Sequence, residues 1–331
     1  MPGASEKKQA ALRVINIVGP FVVLLFVTLF FALIMESEVR KNFFSVYNFK
    51  LILTQTVIVA IGALGMTMII VSGGIDLSVG SVIALTSVLG AFLIQHHFPV
   101  PLVILDSILL GALIGAINGT IIAGFAMTPF IVTLGMLGIA RGAAKWLADN
   151  QTVNFPESSI ALIMKDPNPF GGWNPAPGVW VALALALVMS FIMNKTVFGR
   201  HIFAIGSNEA TARLCGVRTR AVKALIYAVS GILFGLAGVM QLSRLRQGDP
   251  GSAMGVELDI IAAVVIGGAS LSGGTGSILG SMVGALTMAV LRSGSTQSDW
   301  PNYMQEIIIG IVIILAVGLD KWRQARFAPS S

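Results

Sequence analysis

Apolar residues run along this chain in long blocks, and polar residues gather in the short stretches between them. The blocks read as helices over 14–35, 51–71, 77–95, 101–123, 128–147, 178–194, 222–242, 258–271, 276–292 and 304–319. Most are long enough to cross a hydrocarbon layer of about 30 Å. The eighth is short. The pattern predicts an all-α membrane protein, a single domain over 1–331 with about ten transmembrane helices. The first block, from near Val14, lacks a small-residue cleavage site and reads as a retained span rather than a signal peptide.

Composition agrees. The chain is 55% hydrophobic and 11% charged, with a mean hydropathy of +0.87, where soluble domains carry about 25% charged residues. Its 37 glycines suit helices packed closely in lipid.

Charge adds orientation. The N-terminus, the loop holding Asp76, the segment 195–223 and the C-terminus together carry twelve basic residues against four acids, whereas the alternate loops carry seven against nine. By the positive-inside rule the tails 1–13 and 320–331 and the loop 195–221 are cytoplasmic, and 148–177 is periplasmic. The net charge of +6 therefore reflects topology and not nucleic-acid binding. Segment 148–177 ends in the turn-rich DPNPFGGWNPAP and reads as irregular, either a docking rim or a connector. A single cysteine, Cys215, excludes an intrachain disulfide and a CxxC site. His96, His97 and His201 join no cluster with metal spacing, and no serine motif has a matching base, so neither a metal site nor an enzyme is expected.

The cytoplasmic insert GRHIFAIGSNEATARLCGVRTRAVK (199–223) carries more order than a topology signal needs. Ser207 or Asn208 can cap a helix over about 208–215. Glu209 in its first turn and Arg213 in its last complement the helix dipole and lie four apart. Gly216 can take the left-handed conformation that ends it. Two turns are marginal alone in water, so the helix needs a surface to lean on, and Ala210 and Leu214 offer a small apolar face.

This insert resembles the cytoplasmic coupling loop of permease subunits in ABC importers of the ribose and xylose type, a family related to branched-chain amino acid permeases. The resemblance continues through GGIDLSVGS (73–81), NGTIIAGFAMTPFIVTLGMLGIARG (118–142), VIGGASLSGGTGSILGSMVGA (265–285) and EIIIGIVIILAVGLDKWR (306–323), in order over nearly all the chain after residue 50. It implies a multi-pass protein of the bacterial inner membrane in which two such subunits, a homodimer or a pair of paralogues, form the pore. An ABC ATPase subunit would dock on each coupling loop, and a periplasmic sugar-binding protein would deliver the solute. ATP would be used by the partner, with no cofactor in this chain. The resemblance assigns ATPase coupling to Asn208, Glu209, Ala210, Arg213, Leu214 and Gly216. The implied cargo is a neutral monosaccharide, although other branches carry nucleosides or signalling sugars.

LSGGT (271–275) looks like an ABC ATPase signature, but no GxxxxGK[ST] accompanies it. Here Gly273, Gly274, Gly276 and Gly280 permit a sharp turn and tight packing between two spans. Its likeness to GGIDLSVGS reflects either an internal repeat or shared turn chemistry.

Four polar residues stand out as candidates for a passage or gate. Asp76 is either a gate or the N-cap of the span that follows. Gln55, Asn118 and Thr133 suit a neutral, hydroxyl-rich solute, and equally suit interhelical hydrogen bonding. Gly111, Gly115 and Gly119 predict a close helix contact beside Asn118. Asp106 and Asp259 read as solvated span ends, and Arg141 and Arg292 as snorkelling outward. An ion-coupled secondary transporter is the rival class. It needs a protonatable or sodium-binding centre in the membrane, for which the chain supplies only scattered end-of-span acids.

Overall fold

The computed structural model describes residues 4–168 and 171–327, with side chains for 18–168, 171–315 and 318. The outermost parts of both expected tails, 1–3 and 328–331, lie outside the described residues.

Helices dominate. They are α1 (Ala4–Ile34), α2 (Ser37–Phe43), α3 (Val46–Val71), α4 (Val79–Gln95), α5 (Val100–Gly124), α6 (Pro129–Leu147) and α7 (Pro177–Lys195). They continue with α8 (Val197–Ser207), α9 (Glu209–Leu214), α10 (Thr219–Leu245), α11 (Val256–Ile266), α12 (Ile278–Gln297) and α13 (Asn302–Phe327). Six of these, α3, α5, α6, α7, α10 and α12, are long and apolar enough to cross a membrane. Val18–Ile34, α4 and Asn302–Leu315 are shorter apolar helices.

The six sort into two layers. Over their most apolar stretch α3, α10 and α12 are 83%, 72% and 78% buried, whereas α5, α6 and α7 are each 28% buried. The first three form the core, and the others turn large apolar side chains such as Leu113, Ile139 and Leu187 outward. In a membrane that outward surface is matched to lipid tails, so helix association rests on close packing and hydrogen bonds rather than on water exclusion. The tightest example is α5 on α10. A Cβ on Gly111 or Gly115 would strike the backbone of Gly231 or Tyr227, and one on Gly231 would strike Gly111 in return. The glycine spacing seen in α5 thus has its counterpart in α10.

The short eighth block departs from its expected extent of 258–271. Its helix, α11, has 11 residues, about 16 Å at 1.5 Å per residue, half of what a bilayer requires. It stops because Gly268 takes φ +88°. The chain then turns through Gly273 (φ +86°) and Gly274 (φ +76°) into α12. Gly280 and Gly284 of α12 pack directly on the carbonyls of Gly267 and Ala263.

Segment 148–176 is mostly irregular, with one 3-10 turn (Ser159–Leu162) and a two-residue antiparallel ladder between β1 (Val153–Asn154) and β2 (Gln247–Gly248). It is firmly fastened. Lys50, its side chain 2% exposed, lies 3.0 Å from Asp166 Oδ2 and donates to the Asn168 carbonyl at 2.5 Å. Met164 N donates to Ser243 Oγ at 3.0 Å.

Candidate functional site

The insert between α7 and α10 folds into two helices. Thr196 caps α8, its hydroxyl accepting from Gly199 N at 3.2 Å. Gly199, Ile202 and Ile205, three apart, turn its buried face inward. Sequence reasoning missed this helix, although Thr196 and the Ile spacing mark it.

The second helix, α9, runs over Glu209–Leu214, within the expected 208–215. Of the two candidate caps the structure selects Asn208, whose Oδ1 accepts from Thr211 N at 2.9 Å. At the other end Gly216 has φ +85°, its N–H meets the Arg213 carbonyl, and Val217 N–H meets that of Ala212. This pair of bonds is a Schellman closure. Arg213 reaches Glu209 at 3.4 Å as expected, but the shorter partner of Glu209 is Lys223 of α10, at 2.6 Å. Partial burial opposes ionisation of Glu209. The Lys223 bond and charge, with Arg213, outweigh it and hold the carboxyl below its ordinary value. Nothing local in the sequence signals Lys223, fourteen residues away.

Within the chain α9 leans on Ala212, which is buried. Ala210 is exposed, and Leu214 is 89% exposed at the tip of the insert. The spacing of four does bring both to one face, but that face points away from the protein.

Behind α9 lies a backbone junction that sequence reasoning also missed. Gly206, at the end of α8, touches the Val71 carbonyl and Gly274 N so closely that a Cβ has no room. Gly274 N itself donates to the Val71 carbonyl at 2.9 Å. The two likened turns, 72–78 and 271–277, thereby meet each other and the insert at one point.

Asp76, Asn118 and Thr133 converge at that same end of the bundle. Asp76 is buried, and its Oδ1 accepts from Ser78 N at 2.8 Å and from Ser78 Oγ at 2.5 Å. Asn118 Nδ2 donates to Ser78 Oγ at 3.2 Å. Thr133 Oγ1 accepts from Leu77 N at 3.2 Å and lies 3.0 Å from the Pro129 carbonyl, tying α6 to the loop. The N-cap reading of Asp76 is therefore corrected. Ser78 occupies the cap position of α4, and Asp76 folds back on it in an Asx turn two residues earlier. The hydroxyl of Tyr227, also buried, abuts Gly74.

Gln55 does not join them. It lines a cavity at the opposite end with Gln241, Arg244, Asp259 and Arg292. There Asp259 is buried and bonded to Arg292, not solvated as read from position alone, while the Arg292 side chain stays 43% exposed. Arg141 likewise turns inward, donating to the Pro250 and Ser252 carbonyls at 2.7 Å each. Asp106 is half-buried. Among the described residues no His, Cys, Asp or Glu group of three or more has metal-binding geometry.

Residues 48–317 match the family described as the permease component of the branched-chain amino acid transport system. The chain belongs to this permease family. Among its relatives the permease is 38% identical to the ribose import permease protein RbsC of Escherichia coli K12 over 87% of this chain and 90% of that one. The fructose import permease protein FrcC of Rhizobium meliloti is 35% identical over 92% and 84%. The L-arabinose ABC transporter permease protein AraH of Azospirillum brasilense is 32% identical over 92% and 87%. No solved structure matches significantly. A permease of this family with six helices of such length and hydropathy is a multi-pass inner-membrane protein, a transport subunit rather than an enzyme.

Proposed function

We propose that this permease is the membrane-spanning subunit of an ATP-driven ABC importer for a neutral monosaccharide, coupled to a separate ATPase through α9. The ribose, fructose and arabinose named for its relatives support the cargo class. The observation that carries the coupling role is an exposed apolar tip on a rigid base. Leu214 stands out of a helix closed at both ends, anchored through Glu209 to Lys223 and backed by Gly206. A topology signal needs none of these features. A partner that grips Leu214 and Ala210 would push through Gly206 on the turns 72–78 and 271–277, and so on α3, α4, α11 and α12.

The basic excess supports a topology with both termini and the insert cytoplasmic and ten crossings, one of them made by the short α11 with the turns at its ends. A second permease subunit, identical or paralogous, would complete the pore in the lipid bilayer, and a periplasmic binding protein would deliver the sugar. The rival ion-coupled transporter gains little from Asp76, whose Oδ1 is taken up by Ser78.

The test is co-purification from detergent-solubilised membranes at native expression. Wild type should retain an ATPase that Leu214→Asp loses while remaining inserted and monodisperse. An intact wild type that captures no ATPase overturns the coupling reading and returns attention to Asp76.

A further inference from the structure

At the end of the bundle remote from the insert, α3, α10, α11 and α12 enclose a cavity of about 220 Å³. Its polar lining is Gln55, Gln241, Arg244, Asp259 and Arg292, and Ile58 and Met288 are among its apolar residues. Asp259 is 2% exposed. Its Oδ2 takes both bonds from Arg292, from Nε at 3.0 Å and from Nη2 at 2.5 Å. Its Oδ1 has no hydrogen-bond partner among the described residues.

A buried carboxylate oxygen without a partner is costly, and native structures seldom leave one so. Asp259 borders a cavity whose other polar groups are two guanidiniums, which only donate, and two amides, which donate and accept. An anion would meet the Asp259 charge, and a cation would meet the two arginines. A neutral polyhydroxylated solute fits both: its hydroxyls donate to the Asp259 carboxylate and the amide oxygens, accept from Arg244 and the amide nitrogens, and its C–H faces lie against Ile58 and Met288.

We infer that this cavity is a sugar-engaging site within the permease itself, on the side where solute arrives, so that the membrane subunit adds its own selection to that of the delivering protein. The inference rests on the importer reading. Gln55 belongs to this entry site, at a distance from the Asp76 turn.

The test is ATP-driven uptake of ribose, fructose and arabinose by the complete transporter in proteoliposomes, for wild type, Gln55→Leu and Gln241→Leu, with ATPase capture as the control for assembly. Loss of one or two amide bonds to hydroxyls that the three sugars present differently should move the ratio of their rates about tenfold. Wild-type uptake with ratios unmoved in assembled variants overturns the site alone. A wild type that imports none of the three overturns the importer reading for these sugars, and the site falls with it. Should either leucine variant fail to assemble, Gln55→Cys in a Cys215→Ser background gives a second measure. A membrane-impermeant thiol reagent added outside should label it, and an excess of the imported sugar should slow the labelling. Labelling that no sugar slows overturns the proposal.

Discussion

Individual residues do separable work at the two ends of the bundle. Asp76 turns the chain into α4 by accepting from Ser78, and an amide oxygen can do the same. Asp76→Asn should therefore keep stability and uptake near wild type, while Asp76→Ala leaves the buried Ser78 N–H unsatisfied and should cost about 1–3 kcal/mol. Thermal unfolding in detergent, paired with uptake, checks both. An intact Asp76→Asn protein without uptake would mean that the carboxylate charge itself is used. At Glu209 the signs differ. Its lowered pKa means that the bond to Lys223 contributes at neutral pH, is complete above the carboxyl's ordinary value and is lost as pH falls through the lower folded value. The pair is partly exposed, so Glu209→Gln should shift global stability by less than about 1 kcal/mol, yet weaken ATPase retention in the same co-purification. Equal retention would show that Lys223 does not hold the insert in its working position.

Whole elements were legible where local chemistry defines them. Helix α9 could be read to within a residue at each end from Ser207 or Asn208, Glu209, Arg213 and Gly216, because caps, dipole charges and a left-handed glycine act within a few residues. Its neighbours were not so legible. Lys223 and Gly206 act through space, and no local pattern distinguishes Gly206 from a glycine that is merely tolerated. Helix α11 was over-extended because hydropathy continues past Ile266, whereas the stop depends on backbone sign at Gly268. Sequence position puts Asp259 and Arg141 in solvent, since an ion pair thirty-three residues apart and bonds to distant carbonyls leave no trace in spacing. The glycine seam, by contrast, was half visible: α5 announced it and α10 supplied the partner. Gly115→Val should overpack that seam and cost about 1–3 kcal/mol or more, seen as loss of monodisperse protein in detergent. Gly216→Ala should cost about 1 kcal/mol at φ +85° and loosen α9 without disturbing the spans, checked by proteolysis of the insert.

At the scale of the molecule, the chain divides into a fastened end remote from the insert and a jointed end beside it. At the remote end, Lys50 grips segment 148–176 and Arg141 grips the loop before α11. Lys50→Met should release the former and raise its cleavage by added protease several-fold, with the insert unaffected. Beside the insert, one glycine contact links it to the turns that begin α4 and α12, and in the coupling role proposed for α9 a partner's movement would enter the bundle there. The measurement that tests this most directly is sugar uptake alongside ATP hydrolysis by the reconstituted transporter, comparing wild type with Leu214→Asp. The account predicts that the variant, inserted and folded, loses ATP-driven uptake by tenfold or more (about 1.4 kcal/mol per decade). Undiminished uptake by that variant would contradict it.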